Sequence, residues 1–145
     1  MRKEIFRKMF LEIMENKDNK FHPLVWINGN PKIGNNVFIG GFSEVNAGGS
    51  SVEIGDNCDI ASFVAINVAD SHKKVLGISK EVERGSIIIE NNVFIGSHCF
   101  IGRDTKIGHH SVIGAGSIIQ KMVIPPYSLV IGNPFMVKEG YYAKK

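Results

Sequence analysis

The sequence is short of several features that would direct a reading elsewhere. Only two cysteines, Cys58 and Cys99, occur in 145 residues. They form no C-x-x-C pair and have no secretory context, so neither a disulfide framework nor a cysteine metal site is expected. No apolar run approaches the roughly 18 residues of a membrane span. The opening Met1-Arg2-Lys3-Glu4-Ile5-Phe6-Arg7-Lys8 carries charge where a secretory signal needs an uninterrupted apolar core. Together these absences predict a cytoplasmic protein with no membrane partner. Charge of one sign is also scarce: a net +3, scattered along the chain, argues against a nucleic-acid surface, while local Lys and Arg remain available to the phosphates of a small ligand.

What is present is ordinary in bulk and unusual in one count. A hydrophobic content of 43% and a charged content of 21% are those of one soluble globular domain and exclude disorder. Glycine, at 16, is the exception, and since glycine costs entropy inside regular elements its positions should mark special backbone angles.

From Ile33 onward an aliphatic residue followed by Gly or another small residue recurs every six positions. The series runs Ile33-Gly34, Ile39-Gly40, Val45-Asn46, then Ile54-Gly55, Ile60-Ala61, Ile66-Asn67, and resumes at Ile89-Glu90, Ile95-Gly96, Ile101-Gly102, Ile107-Gly108, Ile113-Gly114 and Ile119-Gln120. Two positions before the aliphatic site stand mostly small residues: Ser43, Val52, Cys58, Val64, Val93, Cys99, Thr105, Ser111 and Ser117. Residues two apart share a strand face, and the intervening Asn, Asp, Gly, Lys and Ser supply turns. A helical period of 3.6 fits none of this.

The physical solution is three short strands joined by three sharp corners, stacked on themselves about 4.8 Å apart. It predicts an all-β, left-handed parallel β-helix of about four coils, beginning near Ile33, Ile54, Ile89 and Ile107. Two insertions interrupt the period. One makes Gly48-Gly49-Ser50 bulge; the other ejects a long loop at 68–85, and long loops in compact domains are usually functional. Ile5, Phe6, Met9, Phe10, Ile13 and Met14 are spaced for an amphipathic helix from Arg2 to Asn16, docked as a cap over the open end of the solenoid. Ile124-Pro125-Pro126-Tyr127-Ser128 breaks the repeat. The expected organisation is therefore a cap at 1–26, the β-helix at 27–124 with its loop, and a tail at 125–145.

The repeats, together with Val93-Phe94-Ile95-Gly96-Ser97-His98, Ile113-Gly114-Ala115-Gly116-Ser117-Ile118, Ile124-Pro125-Pro126 and Gly132-Asn133-Pro134, resemble the hexapeptide-repeat acyltransferases. That family includes maltose, galactoside and xenobiotic acetyltransferases and nucleotide-amino-sugar N-acetyltransferases. The resemblance spans about Ile33 to Val137, and the stretch from Asp59-Ile60-Ala61-Ser62 to Asp70-Ser71-His72-Lys73-Lys74 looks most like the small enzymes that acetylate amino-deoxysugars carried on a nucleotide. It implies a homotrimer with coenzyme A in the groove between neighbouring β-helices, acetyl-CoA as co-substrate, no metal, and a sugar acceptor arriving from the N-terminal side. By position, His72 matches the loop histidine that acts as general base in this family. Ser97, Ala115 and Gly116 match the track of the pantetheine arm, Lys121 matches a position near the phosphates, and Lys138 adds to it. Met136 departs from the basic residue often found after Gly-Asn-Pro.

The chemistry suits these residue types. Acetyl transfer from a thioester needs a proton acceptor for the attacking nucleophile, and an imidazole titrating near pH 6.5 accepts and releases protons close to neutrality. Asp70 is the carboxylate placed to orient that ring, and a backbone N–H at Gly96 or Ser97 is the expected donor to the oxyanion. Plainer roles fit the remaining candidates: His98, His109 and His110 as surface groups at corners, Cys58 and Cys99 as core filler, Asp56, Asp59 and Asp104 as turn residues, and Lys73 and Lys74 as solvated loop charges or phosphate contacts. Three further functions fit the architecture: sugar O-acetylation, a γ-carbonic-anhydrase-like zinc site drawing on His72, His98 and His109 or His110, and a non-catalytic trimeric scaffold. The histidine spacing does not resemble that of the zinc family.

Overall fold

The computed structural model describes residues 1–15 and 19–143. Helix α1 (Arg2–Ile13) precedes a parallel β-helix of five coils. The first coil is β1 (Trp26–Asn28), β2 (Lys32–Ile33) and β3 (Phe38–Ile39); the second is β4 (Glu44–Asn46), β5 (Val52–Ile54) and β6 (Asp59–Ile60). The third begins with β7 (Ala65–Asn67), leaves the solenoid through β8 (Ala69–Asp70), α2 (His72–Val75) and β9 (Glu83–Arg84), and returns as β10 (Ile87–Ile89) and β11 (Phe94–Ile95). The fourth is β12 (Phe100–Gly102), β13 (Thr105–Ile107) and β14 (Val112–Ile113), and the fifth β15 (Ile118–Ile119), β16 (Val123–Ile124) and β17 (Leu129–Ile131). A last strand, β18 (Met136–Lys138), turns back antiparallel onto β17.

Stacking aligns the strands into three faces: β1-β4-β7-β12-β15, β2-β5-β10-β13-β16, and β3-β6-β11-β14-β17 extended by β18. The register brings like residues into line, so that Val45 pairs with Ile66, Ile66 with Ile101, and Ile101 with Ile119 along the first face. The inward Ile and Val side chains are buried, with Ile60, Ile95, Ile113 and Val130 fully excluded from water on the third face. Burying such a side chain is worth roughly 1.5–3 kcal/mol. β-Branched residues dominate because their restricted χ1 suits a pleated surface packed on every side.

The small position beside each aliphatic one is buried too, and its hydroxyls are all bonded. Ser43 Oγ donates to the Ala61 carbonyl at 2.9 Å and accepts from Val64 N–H at 3.1 Å. Ser111 Oγ does the same between the Pro125 carbonyl and Ser128 N–H. Among the described residues no buried side-chain polar atom lacks a partner.

Three expectations are corrected. There are five coils, not four, because the repeat continues at both ends: Ile27, six residues before Ile33, and Ile124 and Val130 after Ile119 add the three strands of a further coil. Nor does Ile124-Pro125-Pro126-Tyr127-Ser128 break it: Ile124, Ser128 and Val130 are buried in the fifth coil, one residue shortened, and the solenoid extends to Ile131 rather than ending at 124. Helix α1 forms, but only Leu11 is buried; Ile5, Phe6, Met9, Ile13 and Met14 are exposed, so the apolar stripe does not dock as a cap within this chain. The end expected at Asn16 lies outside the described residues. Among the described residues no helix is long and apolar enough to cross a membrane.

Candidate active site

The corner between the first and second faces carries the long insertion. It is not an irregular loop. Strands β8 and β9 pair antiparallel, Ala69 with Arg84 and Asp70 with Glu83, and the Gly85 N–H closes the base on the Val68 carbonyl at 3.0 Å. His72 opens the helical turn α2 and is exposed. Arg84 Nη1 donates to the Gly48 carbonyl at 2.7 Å, which ties the insertion to the smaller bulge expected at Gly48-Gly49-Ser50.

Asp70, His72 and Glu83 each present a ring nitrogen or carboxylate oxygen within 4.8 Å of the other two. Asp70 nevertheless does not orient the imidazole by a hydrogen bond. Its Oδ2 accepts from Arg103 Nε at 3.1 Å, because Arg103 projects from the next coil directly beneath the insertion. The same guanidinium donates to Glu83 Oε2 at 2.9 Å and to Asp104 Oδ2 at 2.7 Å, and Lys73 Nζ reaches Glu83 Oε1 at 2.6 Å. The Lys73 hydrogen bond, with the charges of Lys73, Arg103 and Lys121, holds the Glu83 carboxyl below the usual glutamate range. By residue type the trio could take a divalent ion, but Asp70 already pairs with Arg103, and Glu83 with Arg103 and Lys73. Lys73 is accordingly an internal ion-pair partner rather than a free phosphate contact.

The corner between the third and first faces brings Gly96, Ser97, Ala115 and Gly116 together on adjacent coils. Gly116 N–H donates to the Ser97 carbonyl at 2.9 Å. A methyl on Gly96 would lie 2.6 Å from the Ala115 nitrogen, so this glycine is required for close stacking. It is buried, and its N–H is committed to the Ile113 carbonyl at 2.8 Å, which removes it as a free oxyanion donor. Ser97 is half-buried, Ala115 and Gly116 are exposed, and nothing lies within 4 Å of the place a side chain would take on Gly116.

The same corner holds a feature that the periodicity did not reveal. Phe42, Phe63, His98 and Gly116 occupy equivalent left-handed positions on successive coils, with φ of 63°, 60°, 60° and 75°. The three rings stack in parallel, Phe42 on Phe63 at 5.0 Å and Phe63 on His98 at 4.9 Å. Phenylalanine rarely adopts this backbone region, and the stack ends where Gly116 leaves open space. The result is an exposed aromatic column running into a floor of small residues.

The remaining candidates are dispersed. Lys121 stands at the first corner, its N–H on the Arg103 carbonyl at 2.9 Å. Lys138 lies in β18 opposite Leu129, over the Tyr141 ring and two strands along the third face from Val112. His109 and His110 occupy the corner between the second and third faces, in ring contact with each other and with Tyr127. His72, His98 and the His109-His110 pair thus belong to three different corners of one chain. Beside the last of these runs an open groove of about 930 Å³ along the second face, lined by Lys32, Glu53, Ile88, Glu90 and His109 among others.

Comparison with known proteins agrees with the repeat architecture. Residues 86–121 match the model of the bacterial transferase hexapeptide (six repeats), and residues 32–67 match the hexapeptide repeat of succinyl-transferase. No curated protein sequence matches significantly. Among solved structures, a variant of AntD, an N-acyltransferase from Bacillus cereus in complex with dTDP and coenzyme A, is 22% identical with a TM-score of 0.69, covering 80% of this chain and 66% of AntD. The polySia-specific acetyltransferase NeuO is 28% identical with a TM-score of 0.63, covering 79% of this chain and 55% of its own. A hexapeptide-repeat-containing acetyltransferase from Vibrio cholerae is 22% identical with a TM-score of 0.66, covering 96% of this chain and 92% of its own. The chain thus spans about two thirds of AntD and about half of NeuO.

Proposed function

We propose that this chain, matched by hexapeptide-repeat models at 32–67 and 86–121, is a left-handed β-helix acyltransferase that moves an acetyl group from coenzyme A to the amino group of a nucleotide-linked amino-deoxysugar, with His72 as general base. One observation carries the reading: the exposed Ala115-Gly116 turn, stacked closely on Gly96-Ser97, leaves an open floor on an otherwise aromatic corner. An extended pantetheine arm needs such a floor, where the small Ala115 and Gly116 let it lie close to the backbone. AntD, in a complex holding coenzyme A and dTDP-4-amino-4,6-dideoxyglucose, supports the choice of acceptor.

In the proposed reaction the acceptor nitrogen forms a bond to the thioester carbonyl carbon while His72 takes its proton. The oxyanion faces a backbone N–H of the Ser97 turn, the carbon–sulfur bond breaks, and the imidazolium returns the proton to the departing thiolate. His72 and the small-residue floor stand at opposite ends of the first face within one chain. A homotrimer, placing the first corner of one copy against the third corner of the next, would bring them together, and it would also bring Lys121 toward the bound coenzyme. A saccharide hydroxyl is the second reading, favoured by NeuO, the more identical of the neighbours compared; the same base and floor serve it.

The test is to incubate the protein with acetyl-CoA and a panel of free and nucleotide-linked amino- and hydroxy-sugars while following thiol release. Release with an amino sugar, lost in His72→Ala while coenzyme A binding persists, is the expected result. Release that is unchanged in His72→Ala would remove the base.

A further inference from the structure

Arg103 is only 11% exposed, and it makes three charge-assisted bonds. Its place follows from register. Gly102 pairs with Asn67, the last solenoid residue before the insertion, so the next residue of the fourth coil lies under the stem of that insertion. There the guanidinium fork meets Asp70 through Nε at 3.1 Å and Glu83 through Nη2 at 2.9 Å, while Nη1 reaches Asp104 of its own coil at 2.7 Å.

The two loop carboxylates it joins are cross-strand partners in β8 and β9. Like charges directly opposite each other destabilise a strand pair, and a hairpin of two residues per strand has little else to hold it. The arrangement makes sense only with a cation between them. Lys73, next to His72, adds a second cation to the other oxygen of Glu83. His72 therefore sits between two residues, Asp70 and Lys73, that are both tethered to one hub, while its own ring has no hydrogen bond among the described residues. On the far side of the stem, Arg84 holds the Gly48 carbonyl of the second coil, so the insertion is fastened to the coils before and after it.

Exposed ion pairs contribute little in general, but a planar fork engaging three carboxylates with most of its surface covered is geometrically specific. We infer that Arg103 is a positioning residue: it clamps the β8–β9 stem onto the fourth coil and so fixes His72 where the reaction needs its base. This rests on the reading of His72 given above. Arg103 touches no reacting atom; it acts through the backbone that carries the imidazole, and small misplacements of such a group are costly.

The test measures kcat and KM in Arg103→Gln, Arg103→Lys and Glu83→Gln, alone and combined with His72→Ala. Arg103→Gln should lower kcat by roughly 10- to 100-fold with KM for acetyl-CoA within about twofold, as a floor on another corner is untouched. Arg103→Lys should recover only part of the loss, because one ammonium cannot span three carboxylates. In the His72→Ala background Arg103→Gln should cost nothing further, which a general loss of folding would not produce. If Arg103→Gln does not fold, Glu83→Gln, which releases the same clamp from the loop side, should show the same split in kcat and the same silence beside His72→Ala. A kcat within twofold of wild type in both single variants overturns the inference. So does a full additional loss in the His72→Ala background, which leaves His72 as base but gives Arg103 an independent role. Full activity in His72→Ala overturns the base itself and the inference with it.

Discussion

Pro126 lies directly over Gly108: a methyl group added to that glycine would stand 2.4 Å from the Pro126 nitrogen. Gly108 N–H also donates to the Ile124 carbonyl at 2.8 Å, so the fourth and fifth coils meet here with no slack. Gly108→Ala forces the Pro125-Pro126 backbone outward and should lower stability by about 1–3 kcal/mol. Chemical denaturation of the variant should show the midpoint reduced; a midpoint equal to that of wild type would mean that the corner has room the packing does not indicate.

The two thiols should be inert in the native state. Cys58 and Cys99 are each 2% exposed; burial pushes both thiols up from their ordinary range, and their sulfurs point at the Glu90 and Gly114 carbonyls. A thiolate is the reactive form. Alkylation at pH 7.5 should therefore label neither until denaturant unfolds the solenoid, when both should react; labelling of one cysteine in native protein would contradict its place in the core.

Acid should weaken the fold through two glutamates. Glu83 is held below the usual range chiefly by the Lys73 hydrogen bond. Glu90 is held low first by its hydrogen bond from Lys106, then by the His109 N–H. For a depressed carboxylate the stabilising contribution is complete above the unfolded value, near 4.3 for glutamate, and is lost as pH falls from there through the lower native value. The denaturation midpoint should hold between about pH 7 and 5 and drop below about pH 4.5, and Glu90→Gln should make that drop shallower. An unchanged acid limb in Glu90→Gln would show that the Lys106 pair contributes nothing.

Much of the fold was legible because the solenoid writes its geometry into the sequence every six residues. Ile39, Ile60, Ile95 and Ile113 had to face inward, and Ser43, Cys58, Cys99 and Ser117 stand at a position beside the corner that takes only small or β-branched side chains. The first and last coils were harder to see, because Ile27 stands alone ahead of the regular series and Pro125-Pro126 follow a coil one residue shorter than the others. The burial of helix α1 was overestimated for a different reason: an apolar stripe states that a helix has a preferred face, not what covers it. At the site, His72 was marked by its insertion, and Gly116 by its motif. Arg103 and Glu83 carried no local signature, since their meeting depends on the register of one coil upon the next; the pairing of Asn67 with Gly102 was the available clue. The aromatic column was likewise invisible, because Phe42, Phe63 and His98 are separated by 21 and 35 residues and align only once the insertion is removed from the count.

Coenzyme A binding tests the account most directly, because everything proposed for this chain depends on the open floor at the third corner. Titration calorimetry of the wild-type protein with coenzyme A should show saturable binding, and Ala115→Trp, which fills the space above Gly116 without altering a buried residue, should abolish it while leaving the melting transition in place. No heat with wild type, or undiminished binding in Ala115→Trp, would contradict the assignment.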